Sequence, residues 1–204
     1  MTLYDLKPRF QNLLRPYAQR LAEQGYTANQ VTLTAALLSI LLGAFLCTFA
    51  AWHILFLLLP IWLFLRMALN AIDGMLAREH GQKSTLGGYL NELCDIVSDA
   101  ALVLPFALLA PFSPFWIFGV IFAAVCSEYA GVMGPLIGAS RRYDGPLGKS
   151  DRALVFGALG LWTGLGLPLF GRLFWLQPVL IVLSIWTAAN RVRRGVREHT
   201  SSTG

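Results

Sequence analysis

Residues 30–51 read QVTLTAALLSILLGAFLCTFAA, a run of 22 residues with no Asp, Glu, Lys or Arg. A helix needs about 20 consecutive apolar residues to cross a bilayer core, so this run predicts a transmembrane helix. Five further apolar stretches follow, at roughly 54–72, 88–110, 114–138, 152–168 and 174–191. The composition agrees with that reading. Of 204 residues, 56% are hydrophobic and only 13% are charged, about half the charged share of a soluble domain. Such a chain cannot cover a soluble surface of its size. The same numbers exclude a disordered protein and a disulfide-stapled secreted module. Cys47, Cys94 and Cys126 all lie in apolar runs without zinc or pairing spacing, and read as small buried hydrophobes. The expected fold is all-α: a polytopic membrane protein of six transmembrane helices.

Ahead of the first span, Leu3, Leu6, Phe10, Leu13, Leu14, Tyr17 and Leu21 recur at three- and four-residue steps with basic residues between them. That pattern predicts an amphipathic interfacial helix over 3–23; the other reading is a helix packed on the protein. Residues 1–26 carry Asp5, Lys7, Arg9, Arg15, Arg20 and Glu23 and lack the apolar core of a cleaved signal. The expected organisation is a juxtamembrane helix over 1–26, a six-helix membrane domain over 27–197 and a polar tail over 198–204. Lys and Arg fix the orientation. Six spans put both termini on one side, with Arg78, Lys83, Arg141, Arg142, Lys149, Arg152, Arg191, Arg193, Arg194 and Arg197; the other side receives only Arg172. Both termini are therefore expected to be cytoplasmic. The net charge of +5 reads as cationic loops beside anionic lipid, not as a nucleic-acid surface.

Polar residues inside a membrane domain are functional candidates, and here they are phased. Asn70 and Asp73 are three apart; Asn91, Asp95 and Asp99 are four apart. Each set lies on one helical face, and a short connection lets the faces oppose. Their oxygens suit a hard cation such as Mg²⁺ or Mn²⁺. Gly74, Ala77, Gly87 and Gly88 leave room for a ligand against the backbone, and Arg78 can fork onto phosphate. Together they suggest a metal-bound diphosphate. The competing reading is a polar clamp between two helices.

The run resembles the signature of the CDP-alcohol phosphotransferase (CDP-alcohol phosphatidyltransferase) family, D-x2-D-G-x2-A-R-x8-G-x3-D-x3-D. Asp73-Gly74, Ala77-Arg78, Gly87 and Asp95 fall at matching positions without gaps, and Asn70 and Asn91 stand at the first and third aspartate positions. The likeness is greatest to small bacterial inner-membrane members. It implies transfer of a phosphatidyl or related phospho-alcohol group from a CDP-linked donor, such as CDP-diacylglycerol, to an alcohol acceptor with release of CMP, in phospholipid biosynthesis. It implies Asp95 as general base and Asp73, Asp95, Asn70 and Asn91 around divalent metal. Asp73, Gly74, Ala77, Arg78, Gly87 and Ser84 would contact CDP. The segment Thr27-Ala28-Asn29-Gln30-Val31-Thr32 resembles the family's Pro-Asn-x-x-Thr, adding Asn29 and Thr32; capping by Thr27 is their other reading. A homodimer in the bacterial inner membrane is implied as well.

The two asparagines are a departure. Four carboxylates balance two divalent ions, and two balance one; Asn offers an oxygen without charge. One ion is expected without substrate, and a donor diphosphate brings charge for another. Glu92 is turned about 100° away from Asn91, and Asp99 lies about 6 Å deeper than Asp95. The alternative function is a catalytically impaired member that binds CDP-lipid or serves as a membrane assembly partner. Arg142, Lys149, Arg152 and Arg191 form a basic set that reads either as a positive-inside loop or as a site for an acceptor phosphate, with Lys149 and Arg152 beside a helix N-terminus. Arg66, an intramembrane cation four residues before Asn70, reads either as paired with a carboxylate or as touching a lipid phosphate; Glu128 reads as a neutral, hydrogen-bonded core carboxyl or as a pocket-lining group, and a pair of the two would satisfy both. Gly134/Gly138 and Gly160/Gly164 have GxxxG spacing and read as helix contacts.

Overall fold

The computed structural model describes residues 3–203, with side chains from Phe10 to Ser201. Residues 1, 2 and 204, and the side chains of Leu3, Leu6, Lys7 and Arg9, lie outside the described residues. The described chain is all-helical: α1 (Leu3–Glu23), α2 (Ala28–Thr48), α3 (Leu58–Glu79), α4 (Thr85–Val103), α5 (Pro114–Val132), α6 (Lys149–Gly164) and α7 (Leu176–Thr203). Single 3₁₀ turns lead into α3 and α7 and follow α4 and α5.

Among the described residues, four helical stretches are long and apolar enough to cross a membrane: Ala28–Thr48, His53–Glu79, Pro114–Ile137 and Gly171–Ser201. The other two expected spans fall short for physical reasons. α4 carries Glu92, Asp95 and Asp99 within 19 residues, and α6 has only 16 residues. The second apolar stretch continues as helix to Glu79, past the expected end at 72, because Asn70 and Asp73 are compatible with a helix and the first residue forced into left-handed backbone is Gly81 (φ 68°). α7 likewise runs to Thr203, through the segment read as a polar tail.

The chain divides into two compact units. The first comprises residues 1–42 and 61–101. Gly25 (φ 81°) closes α1 while Tyr26 N–H reaches back to Leu21 O, as in a Schellman end. Thr27 and Gln30 then cap α2 reciprocally, through Gln30 N–H to Thr27 Oγ1 at 3.2 Å and Thr27 N–H to Gln30 Oε1 at 2.9 Å. Ala18 of α1, Ala28 and Val31 of α2, and Ile72, Met75 and Leu76 of α3 form a buried core, with Leu14, Leu21 and Ala22 packed on it. Leu13 and Tyr17, on the adjoining stripe of α1, stay exposed. One side of the amphipathic helix is thus spent on protein and another remains apolar and uncovered. Trp62 Nε1–H donates to buried Ser39 Oγ at 2.9 Å, satisfying both groups.

The second unit comprises residues 43–60 and 102–204. Phe56, Phe106, Phe112 and Phe156 make a chain of tilted and edge-on ring contacts. Gly160 and Gly164 let α6 approach the 3₁₀ turn at 53–57, where a Cβ would come within 3.1 Å of Leu59 and 2.6 Å of Leu57. Gly134 and Gly138 are not a helix seam. Pro135 lies just past the end of α5, Gly138 (φ 76°) caps the turn, and a Cβ on Gly134 would meet the Ser140 carbonyl at 2.3 Å. Phe115, Phe118 and Phe122 recur along one exposed stripe of α5, and Val179, Val182 and Trp186 do so on α7. Exposed apolar stripes of this kind suit lipid.

Candidate functional site

Within the first unit, the expected residues come from three helices and one connection. Asn29 and Thr32 lie in the first turns of α2; Asn70, Asp73, Gly74, Ala77 and Arg78 on α3; Gly87, Asn91 and Asp95 on α4; and Ser84 is the residue before α4. Three contacts join them. Thr32 Oγ1–H donates to Asp73 Oδ2 at 2.8 Å, and both residues are buried. Asn70 Nδ2–H donates to Asp95 Oδ1 at 3.1 Å. Gly87 lies beneath Asn29 and Ser84: a Cβ there would sit 2.8 Å from Asn29 Oδ1 and 3.0 Å from Ser84 Oγ.

The small residues carry the close approach. Gly74 lies under the Arg78 guanidinium, which a Cβ would meet at 2.8 Å. Ala77 is partly buried at the edge of the core, Arg78 is exposed, and Asn91 is half-buried one turn before Asp95. Ser84 also has a local task, its Oγ accepting Gly87 N–H at 3.0 Å as a cap of α4. Gln82 was not anticipated. It accepts Ala28 N–H at 2.7 Å and donates to Tyr26 O at 3.2 Å, holding the α3–α4 connection beside the start of α2. No spacing or periodicity marks it in the sequence.

Arg66 does not pair with Glu128. It is only 4% exposed, and its guanidinium spans two carboxylates of α4. Nη1 donates to Asp99 Oδ1, and Nη2 donates to Asp95 Oδ1 at 3.0 Å and to the Asp95 main-chain oxygen at 3.2 Å. The relevant signal was the helical register, with Asp95 and Asp99 one turn apart and Arg66 one turn before Asn70. Which helix Arg66 would face was not encoded in that register.

Asp95 Oδ1 therefore accepts from two donors, and Asn70 presents its amide nitrogen there, as an oxygen acceptor requires. Among the described residues, no group of three or more His, Cys, Asp or Glu stands close enough to hold a metal ion. This donor set does not fit a pair of divalent ions. Arg66 already offsets charge on Asp95 and Asp99, and the Arg78 guanidinium over Gly74 adds a second positive group.

In the second unit, the basic candidates separate. Arg152 and Arg191 converge on Glu128, with Arg152 Nη2 at 2.7 Å from Oε1 and Arg191 Nη1 at 3.2 Å from Oε2. All three are buried. Arg191 also donates to Ser127 O, and Gly131 makes room for it, since a Cβ there would come within 3.2 Å of Nη1. Arg142 turns elsewhere, to Asp144 at 2.7 Å and Glu198 at 2.6 Å, while Arg194 holds the other oxygen of Asp144. Burial pushes the Asp144 carboxyl up, but the hydrogen bonds and charges of Arg142 and Arg194 outweigh it and hold the group below its ordinary value. Lys149 opens α6, where Asp151 Oδ2 accepts Gly148 N–H at 2.8 Å.

Comparison with known proteins agrees with the motif. Residues 26–189 match the CDP-alcohol phosphatidyltransferase family. The chain is 47% identical over 199 residues to "Inner membrane protein YnbA" of Escherichia coli, covering 95% of this chain and 96% of that one. It is 24% identical over 195 residues to an archaetidylinositol phosphate synthase of Pyrococcus horikoshii, with 95% and 100% covered. It is 26% identical over 188 residues to a phosphatidylinositol phosphate synthase of Mycobacteroides abscessus, with 90% and 83% covered. A family match spanning most of the chain and a relative of nearly half identity over almost all of its length lead to one conclusion: the chain belongs to the CDP-alcohol phosphatidyltransferase family.

Proposed function

We propose that the chain is an integral membrane phosphotransferase that moves a phosphatidyl or related phospho-alcohol group from a CDP-linked donor, such as CDP-diacylglycerol, to an alcohol acceptor, releasing CMP. The observation that carries this reading is the convergence of Asn29 and Thr32 with Asp73, Ser84 and Gly87 across α2, α3 and α4. Gly74 and Gly87 lack side chains of their own there, Gly74 beneath the Arg78 guanidinium and Gly87 beneath Asn29 and Ser84, with the buried Asp73 carboxylate on the same helix as Gly74.

In this reading Gly74, Ala77 and Gly87 admit the nucleotide to the backbone, with Asn29, Thr32 and Ser84 on the nucleotide side. Arg78 meets a diphosphate oxygen. Asp95 takes the proton of the acceptor hydroxyl as its oxygen bonds to the β-phosphorus, and the electron pair of the broken P–O bond leaves with CMP. Asp73, Asp95 and the carbonyl oxygen of Asn91 would hold one Mg²⁺ or Mn²⁺, with Asn70 donating to Asp95 beside them; when bound, the ion would neutralise the diphosphate and the departing CMP. That the acceptor carries a phosphate is supported by two relatives named as inositol phosphate lipid synthases; of the basic residues expected to receive it, Arg152 and Arg191 are engaged by Glu128 and Arg142 by Asp144 and Glu198, and Lys149 at the start of α6 is the candidate that is kept. The same proposal covers the setting: six crossings with cytoplasmic termini, supported by the Lys and Arg asymmetry; the bacterial inner membrane, supported by the name of the E. coli relative; and a homodimer, by resemblance to the family.

The second reading, a member that binds CDP-lipid without turning it over, is favoured by the two hydrogen bonds that already engage Asp95 Oδ1. A CMP-release assay separates the two. Purified protein in detergent receives CDP-diacylglycerol, Mg²⁺ and glycerol 3-phosphate, inositol phosphate, serine or a lipid hydroxyl in turn. CMP release with one acceptor, abolished by EDTA, supports transfer. Binding of CDP-diacylglycerol with no release from any acceptor selects the second reading.

A further inference from the structure

We propose that Arg66 is a built-in cation that takes the place of one divalent ion at this site, so that the ligand-free protein holds one ion and not two. The phosphotransferase reading supplies the identity of the site; the claim about Arg66 stands on geometry. Its guanidinium is buried within an apolar helix and bridges Asp95 and Asp99 on successive turns of α4. An arginine in such a place cannot shed its charge by losing a proton, so the buried guanidinium needs anionic partners, which the half-buried Asp95 and Asp99 supply. Arg66 offsets their charge permanently, whereas a bound metal would do so only when loaded.

Two further observations agree. Asn70 lies one helical turn beyond Arg66 and turns a donor, not an oxygen, toward the same Asp95 oxygen. That oxygen is therefore surrounded by N–H groups where an ion would require oxygens. Charge agrees too: Arg66 offsets one of the carboxylates Asp73, Asp95 and Asp99, and the Arg78 guanidinium over Gly74 is a further positive group. A second divalent ion would lack compensation in a low-dielectric setting. A purely structural clamp would have the same hydrogen bonds but would leave metal affinity indifferent to the arginine, and this difference is measurable.

The test is Mn²⁺ binding to purified, ligand-free protein in detergent, read from the loss of the free-ion paramagnetic resonance signal. Wild type is expected to hold one Mn²⁺ per chain. Arg66→Gln is expected to bind Mn²⁺ at least about tenfold more tightly or to acquire a second ion, since a unit charge is removed from a poorly screened site. Arg66→Lys keeps the charge and should keep the wild-type count. Two ions, or none, on the wild type overturn the proposal, and that measurement needs no variant to fold. So does an Arg66→Gln protein of normal helix content that binds Mn²⁺ as the wild type does. The outcomes separate from those of the transferase reading. One Mn²⁺ with no CMP release from any acceptor ends that reading and leaves this one standing; turnover with two ions on the wild type does the reverse.

Discussion

Glu128→Gln should be among the most damaging single substitutions in the chain. Glu128 lies between two guanidinium groups, of Arg152 at 4% and Arg191 at 2% exposure, at 2.7 and 3.2 Å. The substitution leaves most of the hydrogen bonding in place. Arg152 keeps Ser127 Oγ and Leu147 O, both at 3.3 Å, and Arg191 keeps Ser127 O at 2.6 Å and Asp144 O at 3.3 Å. What disappears is the only negative charge that faces both arginines among these contacts. A unit pair about 4 Å apart interacts by about 4 kcal/mol at an effective dielectric of about 20. Removing one partner of a buried pair costs about 3–5 kcal/mol, a large part of a total stability of about 5–15 kcal/mol. Reversible unfolding in mixed micelles, titrated with SDS, measures the loss. A triple variant, Glu128→Met with Arg152→Met and Arg191→Met, removes all three charges at similar volume and should recover most of it, because apolar replacement of a buried ion group is often neutral or stabilising. A Glu128→Gln protein within about 0.5 kcal/mol of wild type, the range of an uninvolved surface change, would refute the reasoning.

Asn70→Asp replaces a donor 3.1 Å from Asp95 Oδ1 with a second carboxylate; repulsion of about 4 kcal/mol at 4 Å and an effective dielectric of about 20 should lower the melting temperature in EDTA, and Mg²⁺ should restore it. Equal melting with and without Mg²⁺ would sink that expectation. Gly87→Ala drives a methyl to within 2.8 Å of Asn29 Oδ1, so CDP affinity should fall about tenfold, or about 1.4 kcal/mol, at unchanged helix content; unaltered affinity would place the nucleotide elsewhere. Asp144 has a folded value below its unfolded one, so its stabilisation of the 139–148 connection is complete above the unfolded value of about 3.9 and is lost as pH falls through the lower folded value. Tyr143 fluorescence should report that loosening in acid, and Asp144→Asn should already be loose at pH 7; identical acid profiles would contradict the assignment.

Much of the helical layout was legible because it rests on local patterning. The three- and four-residue recurrence from Leu3 to Leu21 gave α1 its bounds, and 22 uncharged residues gave α2. Helix ends beyond the apolar runs were less legible, since hydrophobicity reports where lipid ends and not where hydrogen bonding does. α3 therefore continues through Asp73 to Glu79, and α7 continues through Glu198, whose carboxylate receives Ser140 and Arg142. The signature residues of the site could be read from spacing, because a helical face is a property of one segment. Partners across segments could not be read in that way. Arg66 could equally be assigned to Glu128 or to α4, and Arg152 could be read as a surface cation beside Lys149 when it is in fact buried on Glu128. Gln82 left no trace because its task depends only on where Tyr26 and Ala28 come to lie.

The most direct test of the transferase account is single-turnover CMP release from CDP-diacylglycerol in the presence of the preferred acceptor and Mg²⁺, run in parallel on wild type and Asp95→Asn with CDP affinity recorded on the same samples. The account predicts release by the wild type, a loss of about 10²- to 10⁴-fold in the variant from removal of the general base, and unchanged CDP affinity. Release that is equally fast in both proteins would contradict it.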